Sequence, residues 1–196
     1  LNQIRASAAQ IPLSEAEIRT AISDGSAGLV RNTLGINDDD PTFERTRQQL
    51  LTHYFDVIGV YAKLYPGLDE LLTEFDANGI AWGISTNKPS IYTNALLNQM
   101  ALPNSPSTVV CPDHVSKPKP DPEPLLLNCQ HLNLAPHQVV FVGDHIRDIQ
   151  AGRAAGMHTI AAAWGYLDAP EEAENWNADA VCYRSEDLNQ VIKDWR

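Results

Sequence analysis

The sequence predicts an α/β protein built on a doubly wound parallel sheet, accompanied by a small helical unit. Two observations carry the sheet. From Tyr65 onward, short apolar runs alternate with helical segments, the pattern of strand–helix units with parallel strands. The run Val139 to Val142 holds four consecutive apolar residues, which suits a strand buried on both faces. A third observation carries the helical unit: residues before Tyr65 hold little strand signal.

The helical unit opens at Ser14 and Glu17, a Ser-x-x-Glu capping box that starts a helix running to about Ser23. Asp24-Gly25 is a turn signal. A second helix is expected from Ser26 to Leu34, a polar break from Asn37 to Pro41, and a longer helix from about Thr42 to Tyr61. Beyond it, Leu68, Leu71, Leu72 and Phe75 fall at i, i+3, i+4 and i+7, an amphipathic helix that Asn78-Gly79 ends. Ile80 to Ser85 is the first strand, and Ser90 to about Met100 a helix. Thr108 to Cys111 is the second strand, with Asp121-Pro122 starting a helix through His131. Val139 to Val142 is the third, followed by a helix near Ile146 to Ala155. Strands near Thr159 to Ala162 and Ala180 to Tyr183 complete the series. The last helix, capped by Ser185, carries Leu188, Val191, Ile192 and Trp195 on one stripe, with Lys193 and Arg196 at its C-terminal end.

Composition narrows the partners. The 196 residues include 25 acidic and 14 basic side chains, a net charge of −11. A surface this acidic disfavours nucleic acid and anionic membranes, both of which need clustered Lys and Arg. Hydrophobic residues at 43% and charged residues at 20% are the composition of a folded domain. Cys111, Cys129 and Cys182 are far apart and form no Cys-x-x-Cys. They read as reduced thiols, hence a cytoplasmic protein. There is no run of 18 apolar residues to span a membrane and no visible signal peptide. A monomer or weak homodimer is expected.

In an open parallel sheet, ligands bind beyond the carboxyl ends of the strands. After the first strand comes Ser85-Thr86-Asn87-Lys88-Pro89. Its hydroxyls, amide and backbone N–H groups can hold an anion, or simply cap the next helix. After the second comes a proline-rich stretch with Lys117 in Ser116-Lys117-Pro118-Lys119-Pro120-Asp121-Pro122. Prolines stiffen such a loop and can aim its lysine at a phosphate or carboxylate; a solvated lysine is the alternative. After the third comes Gly143-Asp144-His145-Ile146-Arg147-Asp148. Asp144 and Asp148 share one face of a helix entrance. In a pocket at about 4 Å, with an effective dielectric near 20, their repulsion is roughly 4 kcal/mol, which calls for a cation. Oxygen ligands select Mg²⁺. Exposed, the same residues are an N-cap and a surface acid. A hydroxyl loop, a positioned lysine and an acidic metal site, in order at successive strand ends, are the parts that bind and neutralise phosphate.

With these residues the chain resembles the haloacid dehalogenase superfamily of phosphatases. Thr86 in Ser-Thr-Asn-Lys-Pro resembles its phosphate-holding second motif, and Lys117 its third. Gly143-Asp144 with Asp148 resembles the fourth, the acidic magnesium site. The resemblance implies a Rossmannoid core of residues 1–10 and 65–196 with an inserted helical cap at 11–64. It looks most like the phosphoglycolate phosphatase group. Trp82 to Pro89 and Cys111 to Val115 look especially like the proteobacterial N-acetylmuramic acid 6-phosphate phosphatases. It implies Mg²⁺-dependent hydrolysis of a small phosphorylated metabolite through an aspartyl-phosphate. Lys117 and Thr86 would be catalytic, Ser85, Thr86, Asn87 and Lys117 would bind substrate, and Asp144 and Asp148 would serve the metal.

The superfamily's first motif, Asp-x-Asp-Gly-Thr, has no counterpart in these residues. Asp24-Gly25 does not fit, because no apolar strand precedes it. The expectation is therefore a chain lacking the first, central strand and its nucleophile, inactive as it stands. Three other readings compete. A phosphosugar mutase of the superfamily typically has Glu-Asp where Gly143-Asp144 stands. A dehalogenase proper needs no metal, against the acidic pair. The third is a non-catalytic binding or regulatory protein.

Overall fold

A computed structural model describes residues 1–167 and 169–194. The chain divides into two compact units, Leu1–Ile58 and the segment from Gly59 onward.

The first unit is helical: α1 (Asn2–Ser7), α2 (Glu15–Ala21), α3 (Gly25–Leu34) and α4 (Phe43–Val57). Its core is Val30, Leu34 and Leu50, with Leu1, Ile4, Leu29, Ile36 and Phe43 packed around them. The capping box at α2 forms as read: Ser14 Oγ accepts from Glu17 N at 3.3 Å, and the Glu17 carboxylate accepts from Ser14 N at 2.8 Å. Residues 1–10 were expected with the sheet but belong here. Their apolar side chains Leu1 and Ile4 need this core, Asn2 exchanges two hydrogen bonds with the Leu13 backbone at 2.9 and 3.0 Å, and Arg5 donates to Thr33 O. Helix α4 ends at Val57 rather than near Tyr61, because Ile58 turns extended (φ −60°, ψ 130°).

The second unit carries α5 (Leu68–Ala77), β1 (Gly83–Ser85), α6 (Ser90–Gln99), β2 (Thr108–Val110), α7 (Glu123–Leu132), β3 (Val140–Gly143), α8 (Ile146–Ala155), β4 (His158–Ala162), β5 (Ala180–Cys182) and α9 (Leu188–Lys193). All strand pairs are parallel. Apolar clusters on both faces of β3 make the arrangement doubly wound. On one side, Val140 and Val142 pack with Leu71 of α5, Ile160, and Leu188, Val191 and Ile192 of α9. On the other, Phe141 packs with Leu125 and Cys129 of α7 and Ala151 and Ala155 of α8.

The strands form two ladders, β1–β2 and β3–β4–β5. The consequence shows in burial. Thr159 to Ala162 of β4, flanked by strands on both sides, are buried, whereas all four residues of β3 are only half-buried. The apolar run read as a fully buried strand is thus covered on its faces but open along one edge: among the described residues nothing but β4 pairs with it. Strand β1 likewise pairs only with β2.

Ser185 does not cap the last helix. Its hydroxyl donates to Pro66 O at 2.7 Å, and a 3₁₀ turn over Ser185–Asp187 precedes α9. Trp195 and Arg196 lie outside the described residues. The three cysteines are free and buried.

Ile160 is fully buried between the α5 and α9 side chains. Ile160→Val should lower unfolding stability by about 0.5–1.5 kcal/mol, read as a shifted urea midpoint at constant slope.

Candidate active site

The carboxyl ends of β1 and β3 are joined by one side chain, Lys119. It is 8% exposed. Its ammonium donates to Ser85 O at 2.7 Å and pairs with Asp148 Oδ1 at 2.8 Å. It also lies 5.1 Å from the centroid of the Phe141 ring. An ammonium carries three donors, so one N–H remains for a ligand. Asp148 is buried too, 6% exposed, and its second oxygen accepts from His145 N at 3.1 Å.

Lys117, the lysine expected here, stands elsewhere. Its side chain is 73% exposed and its ammonium lies 3.9 Å from Asp121 on the same loop. The correction has a local cause. Asn87, in the loop after β1, clamps the backbone of residue 119: its Nδ2 donates to Lys119 O at 2.9 Å and its Oδ1 accepts from Lys119 N at 3.1 Å. The Glu123 carboxylate holds the other part of the loop, accepting from Ser116 N and Lys117 N at 2.9 Å each. Asn87, read as a substrate ligand, is thus committed through both amide ends to positioning Lys119.

Thr86 continues from β1, its N–H donating to Val110 O at 3.0 Å. Its Oγ1 accepts from Lys88 N at 3.0 Å, shaping the turn. Ser85 Oγ is buried with no hydrogen-bond partner among the described residues. Such an atom usually has one when a site is filled.

Asp144 is half-buried and accepts from Tyr166 N through Oδ2 at 3.2 Å. No local sequence pattern points to this link, which runs from the loop after β4. Gly165 permits it, because a Cβ there would stand 2.2 Å from Asp144 Cβ and 2.5 Å from Oδ2. Gly143 makes the matching allowance for Asp148, whose Cβ would lie 2.2 Å from a side chain at 143. The two acids expected to share a cation therefore differ in setting: Asp148 is neutralised by Lys119, and Asp144 is held by a backbone N–H. His145 between them stacks on Trp176, ring centroids 6.5 Å apart, and its ring nitrogen accepts from Arg147 N at 3.1 Å.

Thr86, Lys119, Asp144 and Asp148 thus lie at the adjoining ends of β1 and β3. The sequence pattern of the haloacid dehalogenase-like hydrolases matches residues 1–162. The chain belongs to that family. N-acetylmuramic acid 6-phosphate phosphatases of Pseudomonas aeruginosa and Pseudomonas putida are 36% and 39% identical to it. The alignments cover 92% and 89% of this chain, and 80% and 78% of those proteins. A phosphoglycolate phosphatase of Xanthomonas campestris is 32% identical over 85% of the chain and 75% of its own length. The fold is that of a crystal structure described as a predicted phosphoglycolate phosphatase of Haemophilus somnus: TM-score 0.82 at 22% identity, covering 97% of this chain and 88% of that one. The chain is an enzyme of this hydrolase family, and its relatives are phosphatases.

Removing one partner of a buried ion pair strands the other charge. Lys119→Ala should cost about 3–5 kcal/mol of stability, whereas Lys117→Ala should stay within about 0.5 kcal/mol of the parent, as exposed substitutions do. Urea unfolding of both variants decides which lysine is built into the fold.

Proposed function

We propose that the protein is a Mg²⁺-dependent phosphomonoester hydrolase acting on a small phosphorylated metabolite, N-acetylmuramic acid 6-phosphate first and 2-phosphoglycolate second. The observation that carries this reading is the buried ammonium of Lys119, fixed between Ser85 O and Asp148 with one donor free. A desolvated, preorganised cation is strongest where charge develops on a transferring phosphoryl group. The order of substrates follows the relatives, since those named for the amino-sugar phosphate are the more similar in sequence.

Each side chain takes a role from its setting. The Thr86 hydroxyl, whose oxygen already accepts from Lys88 N, turns its proton toward a phosphoryl oxygen. Ser85 Oγ, buried without a partner among the described residues, can serve the same anion. Lys119 neutralises a second phosphoryl oxygen.

The donors also fit a hard divalent cation. Asp144 offers an oxygen that has no partner among the described residues, the other being tied to Tyr166 N, and a carboxylate oxygen is a Mg²⁺ ligand. Asp148, with both oxygens engaged, supports the site from behind by holding Lys119 and the turn after Asp144. When bound, Mg²⁺ supplies Lewis-acid stabilisation of the phosphoryl charge.

In this reading a carboxylate attacks phosphorus as the P–O ester bond breaks and the alcohol leaves with a proton, and water then cleaves the aspartyl-phosphate to free phosphate and restore the carboxylate. The family's Asp-x-Asp-Gly-Thr segment is not among these residues, and we assign it to a strand pairing with the open edges of β1 and β3. That position would put its end beside Lys119. The protein works in the cytoplasm as a monomer or weak homodimer, a setting that the buried free thiols support.

Phosphate release from both substrates, measured on the form that carries the Asp-x-Asp-Gly-Thr strand, tests the scheme. Activity should vanish in EDTA and return with Mg²⁺. Lys119→Met and Asp144→Asn should each lower kcat about 10²–10³-fold, the usual effect of removing one transition-state contact. The 196 residues alone should show no turnover. Activity indifferent to chelation would refute the metal's part, and full activity in Lys119→Met would refute the site.

Gly165→Ala should act on the metal without touching it. Crowding of Asp144 should raise the Mg²⁺ concentration for half-maximal activity about 10–100-fold, as displaced support for a ligand does, while the KM for substrate at saturating Mg²⁺ stays within twofold.

A further inference from the structure

We propose that Cys111, Asp113 and His114 form a second cation site, selective for a thiophilic divalent ion of the zinc type and separate from the one built on Asp144. The three residues belong to one turn at the end of β2. A 3₁₀ turn over Pro112–His114, closed by His114 N donating to Cys111 O at 3.0 Å, folds them back on one another. Their ligand atoms, a thiol sulfur, a carboxylate oxygen and an imidazole nitrogen, all lie within 4.8 Å of one another. Tetrahedral zinc with sulfur at ~2.3 Å and nitrogen or oxygen at ~2.0–2.2 Å sets its ligands about 3.3–3.7 Å apart. Side-chain rotations closing roughly 1 Å would bring these three onto one ion, with the fourth position left to water.

The neighbours already orient two of the ligands. Asp113 Oδ1 accepts from Ser90 N at 2.8 Å, and its Oδ2 accepts from the Ser90 hydroxyl. A carboxylate has about four lone-pair sites, and two remain for an ion. His114 Nδ1 accepts from Cys111 N at 3.3 Å, which leaves Nε2, itself 4.0 Å from Asp113 Oδ2. Support of this kind from surrounding groups is what orients metal ligands.

The donor set names the class of ion. Sulfur with imidazole and carboxylate suits Zn²⁺ or Co²⁺ and is wrong for Mg²⁺, which takes oxygen. Cys111 lies buried beneath the two exposed ligands, so the site has a thiol floor and a polar rim. Among the described residues, Cys111 is the cysteine that meets an imidazole and a carboxylate at this range. The site adjoins the anion loop. Asp113 holds the first residue of α6, and Thr93 of the same helix donates to Lys88 O at 3.0 Å.

The test is a titration of the purified, reduced protein with Co²⁺, followed by absorbance. The expected result is a sulfur-to-cobalt charge-transfer band in the near ultraviolet, saturating at one ion per chain and bleached by Zn²⁺. Cys111→Ser should abolish the band. His114→Ala, at an exposed position that leaves folding intact, should weaken Co²⁺ affinity at least ~10-fold. Cys129→Ser and Asp144→Asn should leave the band unchanged. A protein without the band, a band that survives Cys111→Ser, or displacement of Co²⁺ by equimolar Mg²⁺ would overturn the proposal. None of these readouts depends on phosphatase activity.

Discussion

The buried pairing of Lys119 with Asp148 is the constraint on which the site depends. Each group is nearly inaccessible to water, and an isolated charge there would be severely penalised. The pair is tolerated because every charge is met. Lys119 also donates to Ser85 O, and Asp148 also accepts from His145 N. Through these bonds the loops after β1, β2 and β3 become one unit. Asn87 tightens it by gripping the Lys119 backbone from both sides. A buried pair is weak evidence of stabilisation; what fixes the geometry here is that Lys119 and Asp148 each make a second hydrogen bond.

The sheet explains why that arrangement sits where it does. In parallel strands, loops gather at the carboxyl ends, and β1 and β3 deliver Ser85-Thr86 and Gly143-Asp144 there. The half-burial of β3 against the burial of β4 records a strand that has a neighbour on one side only. The glycines fit the same picture. Gly143 and Gly165 let carboxylates lie against backbone, so Asp148 and Asp144 are held by close packing as much as by hydrogen bonds. The turn at Cys111 to His114, at the end of β2, is built differently, bringing a thiol, a carboxylate and an imidazole together.

Much of this was legible in the sequence. Apolar runs and i, i+3, i+4 spacing placed the helices and strands, because local periodicity follows from the geometry of each element. The capping box at Ser14 and the helix from Ile146 to Ala155 came out at their read positions. Thr86 and Asp144 could be placed at strand ends because each directly follows a short apolar run. What local pattern left open was the choice between Lys117 and Lys119. Both precede a proline, and they stand two residues apart, so an extended loop points both the same way. Asn87, distant in sequence, makes the choice by a contact no period encodes. The same reason moved residues 1–10 into the helical unit and turned Ser185 from a cap into a donor to Pro66.

The sequence by itself determined the class of fold, which follows from periodicity along the chain, and the residue types at the strand ends, which carry the resemblance to the family. Only the tertiary structure decided which lysine is buried, which acid it neutralises and which acid is held by a backbone N–H instead. Those outcomes depend on desolvation and hydrogen-bond partners brought from separate loops, and neither exists until the chain has folded.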